Sequence, residues 1–273
     1  MAAPVDFVAG GAAPVALLTG RGRDGGALAR DNVAPSPQGV AMTASSHLLF
    51  IPGLGCTPKL YEAQIAHFAG RIATSVADHT RGATIAEIAT QILAKAPPRF
   101  ALCGLSMGGY ISLEILRQAP ERVERLALLD TTAAMDMPEG RARREATIQR
   151  VRAGDYEGVI ETLYAILVRP SAQGDAALKA AVTGMMRDCG AEVFLRQQGA
   201  ILGRIDSRPY LGAIKCKTLA LVGDQDALTP PAAAREMAEG VAGAKLTIVP
   251  DCGHMATMEQ PAAVNAALDD WLA

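Results

Sequence analysis

From His47 to the C terminus the sequence predicts an α/β protein in which crossover helices connect the strands of a parallel sheet. Three observations predict it: short apolar runs recur along the chain, amphipathic helical patterns separate them, and Gly, Pro, Asp or Ser punctuate the junctions. The apolar runs place strands at 48–51, 72–76, 100–103, 126–129, 218–222 and 246–249. Helical periodicity places helices at 59–69, 83–95, 108–118, 232–240 and 261–272. The alternation breaks once, between Asp130 and Thr218. There the segments 141–151, 156–167 and 176–201 are amphipathic with no strand among them, the pattern of a helical insertion that lies over a site. No internal repeat is visible.

Length and composition set the bounds. A chain of 273 residues that is 50% hydrophobic can bury a substantial core. A net charge of −2 leaves no electrostatic footprint for nucleic acid or an anionic membrane surface, so small-molecule partners fit better. The five cysteines are Cys56, Cys103, Cys189, Cys216 and Cys252. They are odd in number, widely spaced and lack a C-x-x-C pair, which reads as free thiols in a reducing cytoplasm and gives no metal site. No apolar run is long enough to span a membrane. Residues 1–41 differ in kind: they are rich in Ala, Gly and Pro, with three Arg balanced by three Asp. They read as a disordered tail and not as a secretory signal, with Met42 as an alternative start.

The chemistry starts at Cys103-Gly104-Leu105-Ser106-Met107-Gly108-Gly109-Tyr110, directly behind the apolar run Phe100, Ala101, Leu102. Tyr110, Ile111, Leu113, Ile115 and Leu116 continue at helical spacing, so Ser106 sits between a strand and a helix, at the centre of a G-x-S-x-G pattern. Gly104 and Gly108 leave room where the backbones nearly touch. A serine hydroxyl needs a base, and the base needs an acid to fix its tautomer. Of four histidines, His47, His67 and His79 suit solvated or capping roles. His254 instead follows the last strand in Asp251-Cys252-Gly253-His254, at the strand-end edge where open parallel sheets collect ligands. For the acid, Asp226 in Gly223-Asp224-Gln225-Asp226 follows the fifth strand at the same edge. Asp130, at the end of the fourth strand, is a competitor, and Asp224 is expected to satisfy amides of its own turn. Donors for an oxyanion are expected from the Met107 N–H and from Leu54 N–H in Pro52-Gly53-Leu54-Gly55.

From His47 to Leu272 these motifs, with Pro230, Met255 and Glu259-Gln260-Pro261, resemble the serine α/β-hydrolases of the esterase and C–C hydrolase superfamily. The resemblance implies a mostly parallel sheet of about six strands with helices on both faces, a core over 42–133 and 216–273, and a helical cap over 134–215. It implies a Ser106, Asp226, His254 triad, no cofactor, and hydrolysis of a small, mainly apolar carboxylic ester through an acyl-enzyme. C–C bond hydrolases, enol-lactonases, thioesterases and perhydrolases share the motifs, and a ligand receptor on this scaffold is the non-enzyme alternative. Two departures stand out. Pro52-Gly53 replaces the usual His-Gly, and ahead of the first strand only Val5–Val8 and Val15–Leu18 offer material for the family's strand hairpin. In the cap, Arg141, Arg143, Arg144, Arg150 and Arg152 read as a solvated face or as a grip for an anion. Ile160, Leu163, Tyr164, Leu167, Met185, Met186 and Phe194 read as pocket wall or cap core.

Overall fold

The computed structural model describes residues 47–273. The expected tail over 1–41, the alternative start at Met42 and the two short apolar runs before it lie outside the described residues. Six strands form one all-parallel sheet: β1 His47–Ile51, β2 Ala73–Val76, β3 Phe100–Leu105, β4 Val123–Leu129, β5 Lys217–Gly223 and β6 Lys245–Val249, in the order β2-β1-β3-β4-β5-β6. The helices are α1 Glu62–Phe68, α2 Ile85–Lys95, α3 Met107–Gln118, α4 Pro138–Arg152, α5 Tyr156–Leu167, α6 Ala176–Leu202, α7 Pro231–Gly240, α8 Ala256–Glu259 and α9 Pro261–Leu272. Among the described residues no helix is long and apolar enough to cross a membrane.

The period of two along each strand divides the core into layers. Leu48, Phe50, Cys103, Leu129 and Leu221 face one way and pack with Phe68 of α1 and Leu268 and Trp271 of α9. Leu49, Ile51, Leu102, Leu126 and Leu128 face the other way, against Ile88 of α2, Ile111 of α3 and Met237 of α7. Burying helices on both faces satisfies a sheet whose central strands are mostly apolar.

Two boundaries move from their expected places for visible reasons. β4 begins at Val123, because Arg125, only 4% exposed, is taken into the sheet with its guanidinium donating to the Trp271 carbonyl at 2.8 Å. β3 runs on to Leu105, since Gly104 and Leu105 still pair with Leu128 and Leu129. The start of α2 is capped reciprocally: the N-cap Thr84 Oγ1 accepts from Glu87 N at 3.1 Å, and Glu87 Oε2 accepts from Ala83 N, one residue before the cap, at 2.7 Å. The chain leaves β1 for one side of the sheet and returns to pair β3 on the other side. That reversal is a topological switch point, and the loops after β1 and β3 open outside it.

Candidate active site

Ser106 stands at the end of β3 as the N-cap of α3, with φ 55° and ψ −116°, a left-handed conformation that costs a non-glycine residue of order 1–3 kcal/mol. The neighbouring chain holds it there. Its N–H donates to the Leu129 carbonyl at 3.0 Å, and its carbonyl accepts from Thr131 Oγ1 at 2.7 Å and Gly109 N at 2.9 Å. A Cβ on Gly104 would strike the Gly108 carbonyl, and one on Gly108 would strike the Ile51 carbonyl of β1. The close approach that these glycines permit is therefore partly to a second strand.

His254 follows β6 and is 2% exposed. Its Nε2 accepts from Ser106 Oγ at 2.8 Å, and its Nδ1–H donates to Asp226 Oδ2 at 2.8 Å. Asp226 is fixed in turn, its Oδ1 accepting from Leu228 N and Thr229 N, both at 2.9 Å, and its Oδ2 from Thr229 Oγ1 at 2.7 Å. Burial alone would raise the Asp226 pKa, but the imidazole and the Thr229 donors outweigh it and hold the carboxyl below its usual range. Burial pulls His254 toward the neutral form, and the Asp226 charge overcomes it, lifting the imidazole above its usual value.

The competing acid takes another place. Asp130 is fully buried with φ 44°, and its Oδ1 accepts from Gly223 N at 3.0 Å, while its Oδ2 has no partner among the described residues. Burial first, and then the charge of Asp226, push this carboxyl well above its usual value. Asp224 accepts from Cys252 N at 3.1 Å and so ties the β5 loop to the loop of His254, instead of satisfying the expected amides of its own turn. Of the two expected oxyanion donors, Leu54 lines the same cleft as Ser106, and Met107 is the first residue of α3, directly after the serine. Neither N–H meets an acceptor among the described residues.

The remaining histidines divide. His67 is partly exposed and pairs with Asp269 at 2.8 Å. His47 is the first residue of β1, not a residue before it, and bonds Ser75 Oγ at 2.7 Å. His79 is 2% exposed rather than solvated, and its Nε2–H donates to the Gly53 carbonyl at 2.8 Å. Sequence reasoning also gave Glu259 no task. Its buried carboxylate accepts from Gly253 N and Met255 N, both at 3.1 Å, the amides on either side of His254, and from Arg169 N at 2.9 Å. The His254 N–H itself donates to the Leu167 carbonyl at the end of α5, at 2.9 Å.

A cleft of about 480 Å³ opens onto Ser106 and His254 between the sheet loops and α4–α6. Leu54, Leu163, Leu167, Met186 and Met255 form its apolar part. Ile160, Tyr164, Met185 and Phe194 are instead buried where α5 and α6 pack with each other and with the residues beneath them. The far wall is polar. Asp136 receives Arg144 and Arg204 at 2.9 Å each, and although burial opposes it they hold its carboxyl at about 2. Arg143 and Arg150 also reach the cleft; Arg141 and Arg152 do not line it. A second cavity, about 350 Å³, lies beyond Tyr110 and Arg204 and includes no residue of the Ser106, Asp226, His254 constellation. Among the described residues no group of three or more His, Cys, Asp or Glu is arranged to hold a metal ion.

A strained serine at a strand-to-helix turn, a histidine and an aspartate from later strand ends, and a cleft opening onto the serine and the histidine define a class. The chain belongs to the alpha/beta hydrolase fold family, whose profile matches residues 51–261. It is similar to a pimeloyl-[acyl-carrier protein] methyl ester esterase of Nitrosomonas europaea, with 28% identity over 179 residues, covering 63% of this chain and 71% of the relative. Among solved structures it resembles a thermophilic esterase from Thermogutta terrifontis, with TM-score 0.75, 27% identity, and coverage of 83% of this chain and 89% of that one. An enol-lactonase from Burkholderia xenovorans LB400 has TM-score 0.75 at 22% identity, covering 86% and 94%, a likeness of fold. The chain is a hydrolase of this fold with esterase-like relatives.

Proposed function

We propose that the protein is a cofactor-free serine esterase that cleaves a small, mainly apolar carboxylic ester through an acyl-enzyme. The observation that carries this reading is the unbroken relay from Ser106 Oγ to His254 Nε2 and from His254 Nδ1 to Asp226, each step 2.8 Å. A receptor has no use for it. Ser106 Oγ attacks the acyl carbon while His254 takes its proton, and the Leu54 and Met107 N–H groups receive the charge that develops on the carbonyl oxygen. His254 then gives the proton to the leaving alcohol. Water, deprotonated by the same imidazole, releases the acid and restores Ser106. Asp226 keeps the proton on Nδ1 and stabilises the imidazolium. The apolar cleft beside Ser106 accepts the acyl chain, and the likeness to pimeloyl-[acyl-carrier protein] methyl ester esterases favours an ester of methanol or another small alcohol. All five cysteines are free thiols, which supports a cytoplasmic setting.

The test is covalent. An organophosphonate should label Ser106, and Ser106→Ala should lose the label and roughly 10⁴- to 10⁶-fold of turnover on p-nitrophenyl butyrate. A label elsewhere, or an unimpaired Ser106→Ala, defeats the reading. Methyl esters, thioesters, lactones and ring-fission-type diketones compared side by side then fix the bond that is cleaved.

A further inference from the structure

The oxyanion loop after β1 contains few groups that can hold it from within. Gly53 and Gly55 flank Leu54, and Gly55 is at φ 65°. Two buried side chains from elsewhere grip the peptides on either side of Leu54. His79 Nε2–H donates to the Gly53 carbonyl, which also accepts from Cys56 N at 3.1 Å. That carbonyl belongs to the same peptide plane as the Leu54 N–H. Because the peptide is planar and trans, fixing the oxygen on one side directs the N–H to the opposite side. The next peptide is gripped at its nitrogen, where Gly55 N donates to Gln197 Oε1 at 2.9 Å. Gln197 Nε2 donates to the His79 carbonyl at 3.4 Å, so one amide joins both grips.

Gln197 comes from the insertion, 142 residues away along the chain, on α6. It is 1% exposed, and a buried amide is tolerated only where its polar atoms find partners. The rest of α6 seats on the same loops. Met186 and Phe194 close over Gly55, Arg196 Nη1 donates to the Thr80 carbonyl at 2.6 Å, and Cys189 Sγ approaches the Cys56 carbonyl at 3.5 Å. A break at Gly190, φ 78°, redirects the helix between Met186 and Cys189 on one side and Phe194 and Arg196 on the other.

We propose that Gln197 is a positioning residue for the oxyanion hole, so that charge stabilisation at Leu54 depends on how α6 is seated. This rests on the serine-esterase reading above. Holding Gly55 N from the insertion makes the donor's orientation a property of the assembled protein and not of the loop alone. The effect falls on the transition state, in which the substrate oxygen becomes an anion, more than on ground-state binding.

The experiment compares wild type with Gln197→Leu, Gln197→Asn and Gln197→Glu on p-nitrophenyl butyrate, with phenylboronic acid as the tetrahedral probe of Ser106 and the oxyanion donors. Leu removes both hydrogen bonds. Asn, one methylene shorter, keeps a buried amide but withdraws it from Gly55 N, and it serves if the Leu variant does not fold. In either, kcat should fall roughly 10- to 100-fold with KM within about threefold of wild type, and the phenylboronate inhibition constant should rise by a similar factor. Glu, protonated in this burial, again accepts from Gly55 N and donates to the His79 carbonyl, and should recover most of the loss. A kcat within about twofold of wild type in the folded Leu or Asn variant, or a kcat loss with unchanged phenylboronate affinity, overturns the inference while the esterase reading stands. A wild-type chain that neither hydrolyses esters nor labels at Ser106 overturns both.

Discussion

The turn that carries Ser106 and the two loops that serve it are made rigid in opposite ways. Around Ser106 the chain is fixed by what is missing: Gly104 and Gly108 allow strand and helix so close that no Cβ fits, and the strained serine has nowhere else to go. Around Leu54 and His254 it is fixed by what is added, since side chains grip the peptides on either side of the functional residue, from far along the chain at Leu54 and from a few residues on at His254. His79 and Gln197 do this for one loop, and Glu259 with Arg169 for the other. Steric exclusion tolerates no substitution. Hydrogen-bonded grips depend on distant parts of the fold, and each can be weakened by degrees.

Four substitutions sharpen that contrast. The largest effect belongs to Asp226→Asn, where an amide no longer selects the His254 tautomer, and turnover should fall by on the order of 10³ to 10⁴ with the fold intact. The same variant moves the pH profile. Catalysis needs neutral His254, whose pKa Asp226 lifts above 6.5, so wild-type kcat/KM should rise with pH through a midpoint above 6.5. Without the carboxylate the largest influence opposing burial is gone, only the smaller ones of Asp130 and Glu259 being left, and the midpoint of the residual activity should shift to lower pH. Titration of kcat/KM in both proteins checks the sign.

Next comes the sterically fixed turn. Gly108→Ala forces a methyl into the Ile51 carbonyl, an overpacking cost of about 3 kcal/mol. Thermal denaturation should show Tm lower by roughly 10 °C, and turnover should drop about 10²-fold or more as Ser106 is displaced. Glu259→Gln strikes a hydrogen-bonded grip: one carboxylate oxygen becomes an NH2 facing the Gly253 and Met255 amides or the Arg169 donors, and a graded loss of roughly 30-fold in kcat is expected. An equal loss in Gly108→Ala and Glu259→Gln, with equal Tm, would erase the distinction between the two kinds of support. The smallest effect is Asp130→Asn, under about tenfold, because Asp226 and not Asp130 bonds His254, and Asn keeps an oxygen for Gly223 N. A crippled Asp130→Asn beside an active Asp226→Asn moves the acid to the end of β4.

What the sequence made legible follows the same division. The parallel sheet was readable because strand and helix periods repeat within a few residues, and the nucleophile turn because its glycines are neighbours of Ser106. Ser106, Asp226 and His254 could be ordered because each follows a recognisable strand. The grips were not readable. Gln197 looks like any polar residue on a helix, His79 like a solvated loop residue, and Glu259 like part of a family signature without a task. Their partners lie across 142 residues for Gln197 and 26 for His79, and only the folded arrangement brings them together. The arginines of α4 show the same limit: helical spacing places them on one helix, but which of them reach the cleft is decided by how α4 packs on α6.

The carbonyl of Leu167, which accepts the backbone N–H of His254, sets a rule for anyone recombining this protein with its relatives. Lids over α/β sheets invite exchange as cassettes, since they carry the pocket wall. Here the cassette also carries the stop against which the base is braced, and a Cβ on Gly253 would run into the backbone at Val168 and Arg169. A graft that replaces α4–α6 therefore trades specificity and catalytic alignment at once. Splice points that preserve Leu167 to Arg169, together with Gln197, separate the two, and substrate range can then be redrawn on α4 and the exposed turns of α5 alone.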